Sequence, residues 1–79
     1  MTKDQNIIGE RLRIIRKGKK IKQDQLAARC YRLGWDITEN TITKIENKFR
    51  CVTDRELIIL IRALRVKFRD FFPDQPWLF

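Results

Sequence analysis

The sequence predicts an all-α protein: a compact bundle of about five short helices around one core. Three observations predict it. Apolar residues recur at three- and four-residue spacing in successive segments: Ile8, Leu12, Ile15; then Leu26, Cys30, Leu33; then Leu57, Leu60, Ile61, Leu64. Gly18, Gly34 and Pro73 punctuate those segments. With 79 residues the chain can build one small core, so residues 1–79 are expected to form a single domain, its core at about 7–72 and an apolar tail at 73–79.

The first helix is expected from about Asp4 to Lys17, with Asp4 suited to the electropositive start and Gly18 as the break. Its polar face carries Arg13 and Lys17. Seven of the twelve residues from Arg11 to Lys22 are basic. That run spans a helix end and the next helix start, a place suited to gripping phosphates. The second helix is expected from Gln23 to about Leu33, with Ala27 small enough for close contact and Gly34 as the stop. Trp35 and Ile37, in the short link that follows, should cover the core. Thr38 can cap the third helix with its hydroxyl.

The third helix has an unusual outer face. At 100° per residue, Ile42, Ile45 and Glu46 fall on one side, and Asn40, Thr43, Lys44 and Asn47 on the other. Solvated faces are usually built from Glu, Lys, Gln and Ala. Asn and Thr are weaker helix formers but good hydrogen-bonding partners for polar edges. This face reads as a recognition surface. Beyond it lies a basic loop, and then Thr53-Asp-Arg-Glu56, which has the spacing of a capping box. The fourth helix, to about Leu64, has a broad apolar stripe of Leu57, Ile58, Leu60, Ile61 and Leu64, marking it as the central core helix. Val66 to Phe72 allows one more short helical segment before Pro73.

Composition narrows the partner. Eighteen Lys and Arg against ten Asp and Glu leave a net charge of +8. That excess favours a polyanion, nucleic acid before an anionic membrane. The chain has no histidine and two cysteines, Cys30 and Cys51. Two thiolates cannot fill a structural zinc site, so no metal or cofactor is expected, and both cysteines read as small buried hydrophobes. No nucleophile stands beside a base and there is no glycine-rich phosphate loop, so no catalytic residue and no enzyme is expected. The polar start, MTKDQN, is no signal peptide, and the longest apolar run, Leu57 to Ile61, is far short of a membrane span. A reducing cytoplasmic setting is expected.

Several stretches together carry a family resemblance. They are Ile8-Gly-Glu-Arg-Leu-Arg-Ile-Ile-Arg16, Gln23-Asp-Gln-Leu-Ala27, Thr41-Ile-Thr-Lys-Ile-Glu-Asn47 and Glu56-Leu-Ile-Ile-Leu-Ile-Arg-Ala-Leu-Arg-Val66. In this order the chain resembles the Cro/cI-like, Xre-type helix-turn-helix family of phage repressors, over about residues 7 to 72. The resemblance implies a lambda-repressor-like fold and a homodimer on palindromic double-stranded DNA. It implies that Arg16 pairs with Glu46, and that Gln23, with Lys22 before it, and Lys48 and Arg50 after the third helix hold DNA phosphates. It implies base reading by Glu39, Asn40, Thr43 and Lys44, three of which the helical projection selects independently.

Side-chain chemistry limits what each can read. Asn40 can bond adenine N6 and N7, Lys44 can donate to guanine O6 and N7, and Thr43 can meet a thymine methyl or a phosphate. Glu39 can accept from cytosine N4 or favour the helix dipole.

The chain departs from the family's pattern at three places. The segment between helices two and three is longer. Lys48 stands where a glycine is usual, which implies strain or a different bend. Lys22 stands where a hydroxyl cap is usual. Phe71, Phe72 and the tail residues Trp77, Leu78 and Phe79 are expected either to form the dimer contact or to fold onto the core. No small-molecule ligand is evident. A rival reading is a protein-interaction module of the same fold, such as an antitoxin or anti-repressor partner. A basic amphipathic membrane binder fares worse, because the fourth helix needs its apolar face for the core.

Overall fold

The computed structural model describes residues 7–72. Among the described residues four α-helices are followed by a 3-10 helix: α1 (Ile7–Gly18), α2 (Gln23–Arg32), α3 (Glu39–Glu46), α4 (Asp54–Leu64) and the 3-10 helix Phe68–Phe71. The fifth expected helix is therefore one tight turn. Its N-terminal N–H, on Lys67, donates to Asp70 Oδ2 at 2.8 Å, and Arg11 Nη2 of α1 donates to the Asp70 carbonyl at 2.9 Å.

The core is small and continuous. Leu12, Leu26, Cys30, Ile42, Ile45, Leu60, Leu64 and Phe71 are fully buried. α3 packs against both α1 and α2, α2 also packs against α4, and the 3-10 helix closes on α1. Each helix therefore commits its apolar stripe to shared neighbours, which is how a domain of this size removes enough surface from water.

Helix ends follow local chemistry. Thr53 Oγ1 accepts from Glu56 N–H at 3.2 Å while Glu56 Oε1 accepts from Thr53 N–H at 3.0 Å, completing the expected capping box. At α2 the side chain of Gln25 does half of that job: its Oε1 accepts from Lys22 N–H at 2.9 Å. Gly34 takes φ 96°, which a Cβ disfavours, and ends α2 as expected. From Leu33 to Thr38 the chain is a loop and not an extension of α2.

Some expectations change. Gly18 stays inside α1, and the left-handed residue of that turn is Lys20, at φ 58°. Thr38 sits at the N-cap of α3, but its hydroxyl accepts no capping bond; its backbone carbonyl takes Thr41 N–H at 3.0 Å. Cys51 is exposed because it lies in the α3–α4 loop, where no helix turns it inward; Cys30 alone is a buried thiol. Burial pushes the Cys30 thiol up to about 11. Ile58 is 57% exposed. The apolar stripe of α4 is wider than the core it meets, so Leu60, Ala63 and Leu64 are buried and Ile58 is turned away. Phe71 is 1% exposed and belongs to the core, which removes it from a dimer contact. Phe72 is half-buried, its ring centroid 4.9 Å from that of Phe68. Trp77, Leu78 and Phe79 lie outside the described residues.

Candidate nucleic-acid interface

The end of α1, the start of α2 and the side of α3 surround a cleft of about 630 Å³. Arg13, Lys17 and Lys22 stand on its walls, with Gln23, Asn47 and the carboxylates of Asp24 and Glu39. The basic run noted in the sequence is thus folded so that part of it faces α3. Arg13 and Lys17 join the phosphate-facing candidates on this geometry. Their sequence signal was the density of charge from Arg11 to Lys22, which does not say which cations converge.

Beneath the cleft lies a closed polar network. Arg16 Nε and Nη2 donate to Glu46 Oε2 and Oε1 at 2.6 and 3.0 Å, a bidentate pair. Arg16 Nη1 donates to the Ile21 carbonyl at 2.9 Å. Both side chains are nearly dry, at 10% and 3% exposure, so each needs the other to offset its lost hydration. The pair is local in space but thirty residues apart in the chain, and it fastens α3 to α1.

Gln23 extends the network. Its Nε2 donates to Glu46 Oε1 at 3.1 Å. A carboxylate can only accept, which fixes the orientation of the amide. Gln23 Oε1 is then directed at the Thr43 hydroxyl, 3.0 Å away. Thr43 Oγ1 also lies 3.1 Å from the Glu39 carbonyl, so its one proton serves one of two acceptors at a time. Gln23 and Thr43 were expected at phosphate and base respectively. The structure joins them to each other and ties both to the Arg16–Glu46 pair.

Asn40, Lys44 and Glu39 are exposed on α3, and Thr43 is half-exposed beside them. Lys48 follows the helix at φ 66°. Its ammonium lies 3.8 Å from Glu10, an exposed pair that water and salt easily open. Lys22 is exposed at the mouth of the cleft.

Arg50 is placed differently from its neighbours. It grips Glu56 through Nη1 at 3.1 Å and Nη2 at 2.7 Å, and its Cζ lies 5.7 Å from the centroid of the Trp35 ring. The bond from Arg50 is the main cause holding the Glu56 carboxyl below its ordinary range, against the opposing effect of burial. Arg50 therefore clasps the α3–α4 loop to α4 and to the α2–α3 link.

The two helices joined by a turn, with an open polar face on the second and cations on either side, define a helix-turn-helix DNA-binding domain. A helix-turn-helix family model matches residues 12–71. The chain belongs to the Cro/cI-like, Xre-type helix-turn-helix family, and it is a DNA-binding regulator of transcription. No curated protein matches it by sequence.

Solved structures agree on the fold. The restriction-modification controller protein C.AhdI from Aeromonas hydrophila is 25% identical, with a TM-score of 0.76 over 90% of this chain and 100% of that one. A single-residue mutant of the restriction-modification controller protein C.Esp1396I is 22% identical, with a TM-score of 0.77 over 91% of this chain and 87% of that one. No helix among the described residues is long and apolar enough to cross a membrane.

Proposed function

We propose that the protein is a sequence-specific repressor that binds a palindromic operator in double-stranded DNA as a homodimer. It acts by binding rather than catalysis, in the cytoplasm. The observation that carries this reading is the convergence of Arg13, Lys17 and Lys22 beside α3, whose Asn40 and Lys44 are open to solvent. α3 enters the major groove, where Asn40, Lys44, Thr43 and Glu39 meet base edges. Lys17, Lys22, Lys48 and Arg13 meet the flanking phosphates. Gln23 can still touch phosphate through its backbone N–H at the start of α2. Likeness to the restriction-modification controller protein C.AhdI supports a controller role of that kind.

The homodimer reading moves from Phe71 to the outer face of α4. Ile58 is the large apolar residue exposed there, flanked by half-buried Leu57 and Ile61. A dimer that reads two half-sites needs its α3 helices ~34 Å apart, one turn of the duplex.

Selection from a random duplex library tests the reading directly. Enrichment of one inverted repeat with half-sites a helical turn apart is expected; a pool that stays random at low salt rejects sequence-specific binding. Sedimentation of Ile58→Asp tests the assembly. A monomer with weakened operator binding is expected, and an unchanged dimer would remove α4 from the interface.

A further inference from the structure

At the far end of α2 from Gln23, about 14 Å along the helix, lies a second cationic feature. Arg29, Arg32, Arg62 and Arg65 line a cleft of about 320 Å³, with Leu33 and Ala63 as its apolar part. Two helices, α2 and α4, end here. Arg29 Nη1 donates to the Ala63 carbonyl at 3.1 Å, so one guanidinium has a capping task. The negative ends of two helix dipoles amount to roughly −1 in total, against four guanidiniums. Among the described residues no carboxylate lines this cleft, and none of the four arginines takes part in an ion pair. Helix capping therefore accounts for only part of the charge.

Arg65 is the left-handed C-cap of α4, at φ 57°, and turns the chain at the rim of the cleft. A further observation points to a ligand. All four cations are arginine, whose planar fork fits phosphate oxygens two at a time. The cleft is at the lower end of the size range of small-molecule sites. We propose that this cleft binds a small phosphate-dense anion of the di- or triphosphate kind, apart from the DNA-facing cleft.

The test uses inorganic tripolyphosphate and calorimetry at matched ionic strength. Two double variants are compared with the wild type: Arg32→Ala/Arg62→Ala at this cleft and Lys17→Ala/Lys22→Ala at the α3 cleft. Arg29 is left intact because it caps α4, and circular dichroism confirms that both variants fold. One tripolyphosphate per chain is expected to bind the wild type and the lysine variant alike, with at least a tenfold loss in the arginine variant. Loss in the lysine variant alone would place the anion on the DNA face and overturn the proposal, as would binding no stronger than that of sulfate. A gel shift with genomic duplex separates a free anion from DNA backbone as the source. The arginine variant is expected to keep its DNA affinity within about twofold. A fall as large as that of the lysine variant would make the cleft part of the DNA surface, again overturning the proposal.

Discussion

The Thr43 hydroxyl lies 3.0 Å from Gln23 Oε1, while the other end of the same amide donates to Glu46. One side chain at the start of α2 thus sets the position of a residue on the outer face of α3. Replacing Gln23 with Ala removes a bond to a buried carboxylate, worth about 1.5–3 kcal/mol. Urea denaturation should show that loss. Operator binding should fall as well, and selected sites should become less defined at the base nearest Thr43. Unchanged stability with weakened binding would mean that Gln23 serves phosphate alone.

Arg16→Ala leaves Glu46 charged and buried without its main partner. A loss of about 3–5 kcal/mol is expected, a large fraction of the stability of a domain this small. A melting temperature within a degree or two of the wild type would show that the pair contributes little. Replacing Arg16 and Glu46 together with apolar residues should recover part of the loss, because the desolvation cost disappears with the charges.

Lys48 sits at φ 66°. Lys48→Gly should relieve the left-handed strain and raise stability by about 1 kcal/mol. The same change removes a cation beside the reading helix, so DNA affinity should fall and the salt slope should shrink by about 0.9. Opposite signs in the two measurements are the expected signature. A variant that binds DNA as the wild type does would take Lys48 out of the interface.

Glu56 titrates in the Arg50 clasp. Its folded pKa is depressed, first by the bond from Arg50, so the clasp stabilises the fold fully above the unfolded value of about 4.3. That contribution is lost as pH falls through the folded pKa. The gap in melting temperature between wild type and Glu56→Gln should therefore be present at pH 6 and shrink below about pH 4. A gap of constant size down to pH 3 would contradict the linkage.

Lys44→Ala should relax base preference at one or two positions of each half-site with little change in salt slope, at a cost of about 1–3 kcal/mol on the preferred site. Equal loss on every sequence would mark Lys44 as a phosphate contact.

The legible part of this fold was the part written in short-range pattern. The stripe of α1, the Thr53–Glu56 capping box and the left-handed Gly34 all follow from neighbours within a few residues. The α3 projection separated Ile42 and Ile45 from Asn40 and Lys44 for the same reason. What sequence could not show were choices among long-range partners. Arg50 and Lys48 are both basic residues after α3, yet only Arg50 is within reach of Glu56 and Trp35. Phe71 and Phe72 look equivalent in a short apolar run, but the 3-10 helix turns one inward. Cys51 has apolar neighbours in the chain and none that bury it. Gln23 fits a phosphate contact by position, and only the folded chain shows its amide spent on Glu46 and Thr43.

The Arg16–Glu46–Gln23 network also shapes how the domain comes apart. Were α3 to detach alone, the bidentate Arg16–Glu46 pair, the Gln23–Glu46 bond and the burial of Ile42 and Ile45 would all be lost together. Such a partly opened form is disfavoured. α3 is therefore tied to its neighbours at both its polar and its apolar side, and is not a loosely held edge of the molecule. On the proposed reading such a helix would meet DNA already ordered, with little binding energy spent on folding it there.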